Sequence, residues 1–260
     1  MHAFGEIAEK LRRSTVQVHT FGRRHGGNGS GVIWSADGLI LTNAHVTRGP
    51  EAEVELWDGR RFPARLAARD PRRDLAALRI DAPSLDPAVP GDSRTLRPGE
   101  LVIAVGSPLG FAGALSTGIV HSIGKQWIYA DVRLAPGNSG GPLADANGRV
   151  VGINTAVVNG LGAAIPSATA LDFVRNGARP ALGVSLRPVH LGLQILELDP
   201  DGPAGLAGLR AGDVLLGRLE DLHAALDAGG QTIRVRFLRD ELRRVRETVV
   251  RLAARAEAAA

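Results

Sequence analysis

The sequence predicts an all-β-dominated chain, a barrel or sandwich of short strands, followed by a smaller region in which strands and helices mix. Three observations carry this. Short apolar runs recur, each bounded by Gly, Pro, Asp or Asn, a pattern of antiparallel strands rather than of a parallel sheet. Trp57-Asp58-Gly59-Arg60 has the chemistry of a hairpin turn. Beyond Ala181 the texture changes, and helical patterns appear between the strands.

Taken in order, residues 5–13 set Ile7, Ala8 and Leu11 at helical spacing, which predicts a short leading helix. Strands follow at 16–18, 31–34, 39–42, 54–56, 75–80 and 101–105. The glycine-rich stretch 26–31 lacks the Gly-Lys-Ser/Thr of a phosphate loop and reads as a turn into the strand ending near Trp34. A proline-rich passage covers 83–98, and 168–176 has a helical pattern that closes the first region. In the second region 191–196 is a strand, and Gly202-Pro203-Ala204 opens a short helix. Residues 219–228 form an amphipathic helix with Leu219, Leu222 and Leu226 on one side. Residues 232–237 and 246–252 form a closing hairpin, and 253–260 is a low-complexity tail.

At 260 residues, 44% of them apolar, the chain exceeds one average domain and can bury a sizeable core. No apolar stretch approaches the ~20 residues of a membrane span. Without cysteine, no disulfide supports the fold. Net charge is +4, and every basic residue except Lys10 and Lys125 is arginine. These arginines are scattered among acids. The dense stretch 234–251 begins by alternating with Ile233, Val235 and Phe237, as the solvent face of a strand would, so no nucleic-acid partner is expected. His2, His19, His25, His121, His190 and His223 have no paired metal-ligand spacing, so neither metal nor cofactor is expected. Glu6, Glu9, Lys10, Arg12 and Arg13 interrupt residues 1–20, which therefore lack the form of a signal peptide. As the chain stands a cytoplasmic location is expected, or a periplasmic or cell-envelope one if a leader has been removed.

The most informative stretch is Gly137-Asn138-Ser139-Gly140-Gly141-Pro142. Gly137 allows a sharp turn that lets amides converge, while Gly140 and Gly141 keep bulk away from the Ser139 hydroxyl. Converging amides beside an accessible hydroxyl form an oxyanion hole next to a nucleophile. A serine needs a base, and the base needs an orienting acid. Residues 38–46 hold an apolar strand that ends at His45, and Asp74 precedes the strand 75–80; His, Asp, Ser is a known chain order for this triad. The bland alternative for Asp74 is an ion pair with Arg72 or Arg73.

These motifs resemble the HtrA (DegP-type) family of trypsin-like serine proteases with a C-terminal PDZ domain. The matching stretches are Gly29-Ser30-Gly31-Val32-Ile33, Leu41-Thr42-Asn43-Ala44-His45-Val46, Asp74-Leu75-Ala76-Ala77-Leu78 and Val105-Gly106-Ser107-Pro108-Leu109-Gly110. Ser116-Thr117-Gly118-Ile119-Val120, residues 131–143, Gly152-Ile153-Asn154-Thr155 and Ala164-Ile165-Pro166-Ser167 complete the set in family order. The resemblance implies a chymotrypsin-like double β-barrel followed by a small α+β PDZ-like domain. Its boundaries would be a leading segment 1–13, a protease domain 14–176, a PDZ-like domain 180–252 and the tail 253–260. It implies a serine endopeptidase acting on unfolded or extended polypeptides through an acyl-enzyme, in protein quality control. Ser139 would attack, His45 shuttle the proton and Asp74 orient, with Gly137, Asn138 and Ser139 forming the oxyanion loop. A homotrimer built on the N-terminal segment is also implied, with Phe4 and Phe21 as its aromatic anchors. The reading from another class is a catalytically silent peptide-binding or holdase module.

Further site residues follow from the same resemblance. Arg133, six residues before Ser139, has the position where trypsin-like folds set the base of the specificity pocket. Either it enters that pocket and favours an acidic residue before the scissile bond, or it points away or pairs with Asp131. Leu134, Asn154, Thr155, Ala156, Val157, Val158 and Ala163 would line the remaining pocket. Asn138 replaces the aspartate that pairs with a freed N-terminus in cleavage-activated relatives, so no proteolytic activation is expected. Leu182-Gly183-Val184 resembles a PDZ carboxylate-binding loop, and a C-terminal peptide would lie between it and Leu219 and Leu222. Only Gly217-Arg218 separates Leu216 from Leu219, too short for a strand that relatives have there, and only 125–130 separates Gly124 from Asp131, where relatives carry a long sensor loop.

Overall fold

The computed structural model of the chain describes residues 4–20, 27–47, 51–111, 113–124, 126–177, 182–228, 231–239 and 244–252. Phe21, Lys125 and the tail 253–260, all invoked above, lie outside the described residues. The chain divides into two compact units, Met1–Gly177 and Ala178–Ala256.

The first unit opens with helix α1 (Phe4–Arg13), whose inward face buries Ile7 and Leu11. Its basic end is anchored by Trp57: the guanidiniums of Arg12 and Arg13 lie 5.0 and 4.8 Å from the indole ring. Strands β1 (Thr15–Thr20), β2 (Gly27–Ile33), β3 (Leu39–Thr42), β4 (Glu51–Glu55), β5 (Arg61–Asp70) and β6 (Leu75–Ile80) close into a barrel in the order β1-β2-β3-β6-β5-β4. Val16, Val18, Ile33, Ile40, Val54 and Leu78 fill its interior. Strands β7 (Leu101–Gly106), β8 (Ala114–Ile123), β9 (Ile128–Ala130), β10 (Pro142–Asp145), β11 (Val150–Val158) and β12 (Leu161–Pro166) close a second barrel in the order β10-β11-β12-β9-β8-β7. Val102, Ile128, Leu143 and Val151 lie in its core. Helix α2 (Ser167–Asn176) ends this unit and buries Ala170 and Phe173.

Two features depart from the sequence reading. The glycine-rich stretch expected to be a turn already belongs to β2 from Gly27 onward, paired with β1 through Thr20↔Gly27 and Val16↔Gly31. Glycine is used there for room: a Cβ at Gly29 would press on Val46, and one at Gly31 on Ile40. Strands β5 and β8 leave weak patterns. Pro63 interrupts β5 yet is accommodated opposite Glu53. In β8 the large apolar residues Leu115, Ile119 and Ile123 face outward, so its hydrophobic alternation runs opposite to that of a core strand.

The second unit is a five-stranded antiparallel sheet with two helices. Strands β13 (Val184–Val189), β14 (Gly192–Leu198), β15 (Val214–Leu215), β16 (Thr232–Leu238) and β17 (Val245–Arg251) lie in sequence order, and helices α3 (Pro203–Leu206) and α4 (Leu219–Asp227) flank the short β15. Leu193, Ile195, Leu215, Phe237 and Val250 form its core. Asp213 is 2% exposed and is neutralised by Arg239, whose Nε and Nη2 donate to it at 2.7 and 2.6 Å. Among the described residues no helix is long and apolar enough to cross a membrane.

Candidate active site

His45 follows β3 on the first barrel, and Asp74 is the last residue of the loop joining β5 to β6. Asp74 adopts φ 53°, in the left-handed region that an aspartate enters more readily than most residues. Four contacts hold it. Its carbonyl accepts from Asn43 Nδ2 at 3.0 Å, and its carboxylate accepts from the His45 amide at 3.0 Å. His45 Nδ1 lies 2.8 Å from Oδ2, and the Thr155 hydroxyl donates to the same oxygen at 2.6 Å. A carboxylate only accepts, so the Nδ1 of a neutral ring carries the proton and Nε2 keeps the lone pair. Burial favours the neutral acid, but the bond from His45, the bond from Thr155 and the histidine's charge outweigh it, holding the Asp74 carboxyl below its ordinary value. The Arg73 guanidinium pairs with Asp70 and Asp172 rather than with the Asp74 carboxylate.

Ser139 belongs to the second barrel, in the loop between β9 and β10. Its hydroxyl donates to the carbonyl of Thr155 at 3.0 Å, so Thr155 touches Asp74 with its side chain and Ser139 with its backbone. Gly137, at φ 105°, has no room for a side chain, since a Cβ would collide with the Ser107 carbonyl. The amides of Asn138, Gly140 and Gly141 are committed to Ala135, Asn154 and Asn138 carbonyls at 3.0, 2.8 and 3.1 Å. Among the described residues, the amides of Gly137 and Ser139 make no hydrogen bond to the protein, which leaves both donors for a ligand oxygen. The first barrel supports this loop through Ser30, fully buried. Its hydroxyl donates to Gly137 O at 2.7 Å and accepts from the Ser107 amide at 2.9 Å, and its own amide donates to Ser139 O at 2.8 Å.

A cavity of about 200 Å³ opens beside the serine, lined by Leu134, Ala135, Pro136, Asn138, Ser139, Thr155, Ala156 and Val157. Four pocket candidates lie outside this lining. Arg133 is exposed and lies outside the lining, because Val132 and Leu134 turn inward on either side of it and a lone guanidinium is costly to bury. Asn154 and Ala163 are fully buried within β11 and β12. Asn154 instead braces the nucleophile loop, accepting from Gly140 at 2.8 Å and donating to Pro142 O at 2.8 Å. Val158 lies outside the lining as well. In the second unit Leu182 is buried in the core, Gly183 has φ 74°, Val184 starts the edge strand β13, Leu219 is exposed and Leu222 packs partly against the core. The roles of Thr155 and Ser30 escaped the sequence reading, since a polar residue in a strand gives no sign of which loop it will meet.

Two six-stranded barrels with a histidine–carboxylate pair on one and a glycine-framed serine on the other define a trypsin-like peptidase. A family model described as a trypsin-like peptidase domain matches residues 29–153. The chain is 39% identical to a "Probable periplasmic serine endoprotease DegP-like" of Halomonas elongata, over 95% of this chain and 61% of that protein. It is 35% identical to a "Putative serine protease HhoB" of Synechocystis, over 74% of this chain and 56% of that one. Among solved structures, "HtrA-type protease AlgW with tripeptide" is 30% identical with TM-score 0.65, covering 96% of this chain and 97% of that one. A serine endoprotease from Yersinia pestis is 28% identical with TM-score 0.67, covering 97% and 98%. The chain belongs to the HtrA-type family of trypsin-like serine proteases. It spans less than two thirds of the length of the curated relatives it matches.

Proposed function

We propose that the chain is a serine endopeptidase that cleaves unfolded or extended polypeptides through an acyl-enzyme, in protein quality control. The observation that carries this is the continuous chain of hydrogen bonds from His45 through Asp74 and Thr155 to Ser139. Ser139 Oγ attacks the peptide carbonyl, and His45 Nε2 takes its proton and returns it to the departing amine. Asp74 holds the ring and stabilises the imidazolium, while the amides of Gly137 and Ser139 bind the oxyanion. Water, deprotonated by the same imidazole, then hydrolyses the ester. At rest the serine proton is held by the Thr155 carbonyl, so the hydroxyl must first turn toward His45. A fluorophosphonate probe tests the reading: it should label the parent and not Ser139→Ala, whose kcat should fall roughly 10⁴- to 10⁶-fold. An unlabelled parent would defeat it.

The cavity is small and apolar, which supports a short aliphatic side chain before the scissile bond. Mapping the cleavage sites on casein should give valine- or alanine-sized residues there, whereas cuts after Asp or Glu would return Arg133 to the pocket.

The second unit is proposed to be a PDZ-like domain that binds C-terminal peptides along β13, supported by the free edge of that strand and by Gly183 at its entrance. A peptide with a free carboxylate should bind and its amide should not. Relatives named as periplasmic support the cell envelope rather than the cytoplasm, which fractionation of the native host would check. The homotrimer implied by the family is tested by light scattering, where a mass of one chain would remove it.

A further inference from the structure

We propose that Arg73 is a positioning residue for Asp74, clamping the loop that carries the orienting carboxylate to the end of α2. The loop comprises only residues 71–74, between the paired Asp70 and Leu75. It delivers Asp74 with φ 53°, a backbone state that costs even an aspartate some energy and that its surroundings here hold in place. Asp70 enforces it from within. Its carboxylate, fully buried, turns back to accept the amides of Arg72 and Arg73 at 3.0 and 3.1 Å, fixing the backbone just ahead of Asp74. A buried carboxylate requires a countercharge, and Arg73 supplies it through Nε at 2.6 Å.

The remaining donors of the same guanidinium reach outward. Nη1 donates to Asp172 at 2.6 Å and Nη2 to the Gly177 carbonyl at 2.7 Å, and the group lies 5.4 Å from the Phe173 ring. All three partners belong to the last turns of α2 and its C-cap. One planar fork, 8% exposed, thus sets both the internal turn of the loop and its distance from the helix. An ammonium has three donors but gathers them on one nitrogen, so it lacks the spread of the fork that spans Asp70, Asp172 and Gly177. Asp74 depends on both settings, because its bonds to His45 and Thr155 come from opposite barrels and tolerate little displacement.

The inference rests on the serine-protease reading, and its test separates the two. In the full chain, Arg73→Met should lower kcat about 100-fold with little change in KM, and Arg73→Lys should lose less, roughly tenfold. Asp172→Asn should also lower kcat, by roughly threefold to tenfold. Val54→Ala, a core truncation elsewhere in the first barrel, controls for lost stability and should leave kcat unchanged. The proton shared by His45 Nδ1 and Asp74 should give a low-field resonance in the parent that broadens or disappears in Arg73→Met while the protein remains folded. That signal needs no turnover, so a parent that shows it but fails to label with fluorophosphonate loses the protease reading and keeps the positioning one. Should Arg73→Met not fold, Arg73→Lys and Asp172→Asn decide: parental kcat and resonance in both overturn the proposal. A loss in Arg73→Met that Val54→Ala reproduces overturns it equally.

Discussion

Thr155 serves the site with both ends of one residue, its hydroxyl on Asp74 and its carbonyl on Ser139. Thr155→Val keeps the shape and the carbonyl but removes the donor. A hydrogen bond to a charged group contributes about 1.5–3 kcal/mol, so kcat should fall roughly tenfold to a hundredfold, and Thr155→Ser should restore it. Activity within twofold of the parent would show that His45 alone suffices. Asp74 makes a second prediction, about pH. Its folded value is depressed, so it adds stability that is present above the unfolded value of about 3.9 and is lost as pH falls through the folded one. Urea midpoints measured from pH 6 to pH 2.5 should therefore drop more steeply below pH ~4 for the parent than for Asp74→Asn. Parallel curves would count against the depressed value. The residues that meet here announce themselves unequally in the sequence. Ser139 and His45 stand in glycine-rich and strand-end motifs whose chemistry is local, whereas Arg73 and Ser30 act on segments about a hundred residues away and look like any surface arginine or loop serine.

Among the elements, α2 has a structural duty out of proportion to its ten residues. Phe173 is completely buried and lies against the guanidinium of Arg73. Phe173→Ala should cost about 3–5 kcal/mol in urea unfolding. It should also lower kcat at temperatures where the protein remains folded, and a purely thermal effect would separate α2 from the site. Strands β3 and β6 coincide with the apolar runs 39–42 and 75–80, because a strand buried on both faces carries a nearly continuous apolar signal, which Arg79 alone interrupts in β6. Strands β5 and β8 do not, since a proline and an outward apolar row hide them from any test of alternation. Helix α4 runs Leu219–Asp227, within a residue of its amphipathic pattern. The handover at Leu216–Arg218 is short enough that β15 keeps only two residues of ladder.

At the scale of the whole molecule, each unit encloses its own apolar core. Calorimetry of the full chain should resolve two transitions. Ile195→Ala, in the core of the second unit, should cost about 2–5 kcal/mol and lower only one of them, leaving fluorophosphonate labelling of Ser139 intact. A single transition moved as a block would show that the units melt together. The double-barrel plan was legible only through the resemblance that the motifs carry, and barrel closure is not written in any strand, because β1 meets β4 and β7 meets β10 only after the intervening strands exist.

The split of the triad between barrels also has a consequence in time. A chain leaving the ribosome exposes its base and orienting acid early, yet its nucleophile lies in a loop of a barrel that cannot close until β12 has been synthesised. Thr155 comes late as well, and the brace from Asn154 to Gly140 with it. A copy whose second barrel is unfinished therefore has the histidine–carboxylate pair in place without the loop that presents Ser139, and the site is assembled only when β12 joins its sheet.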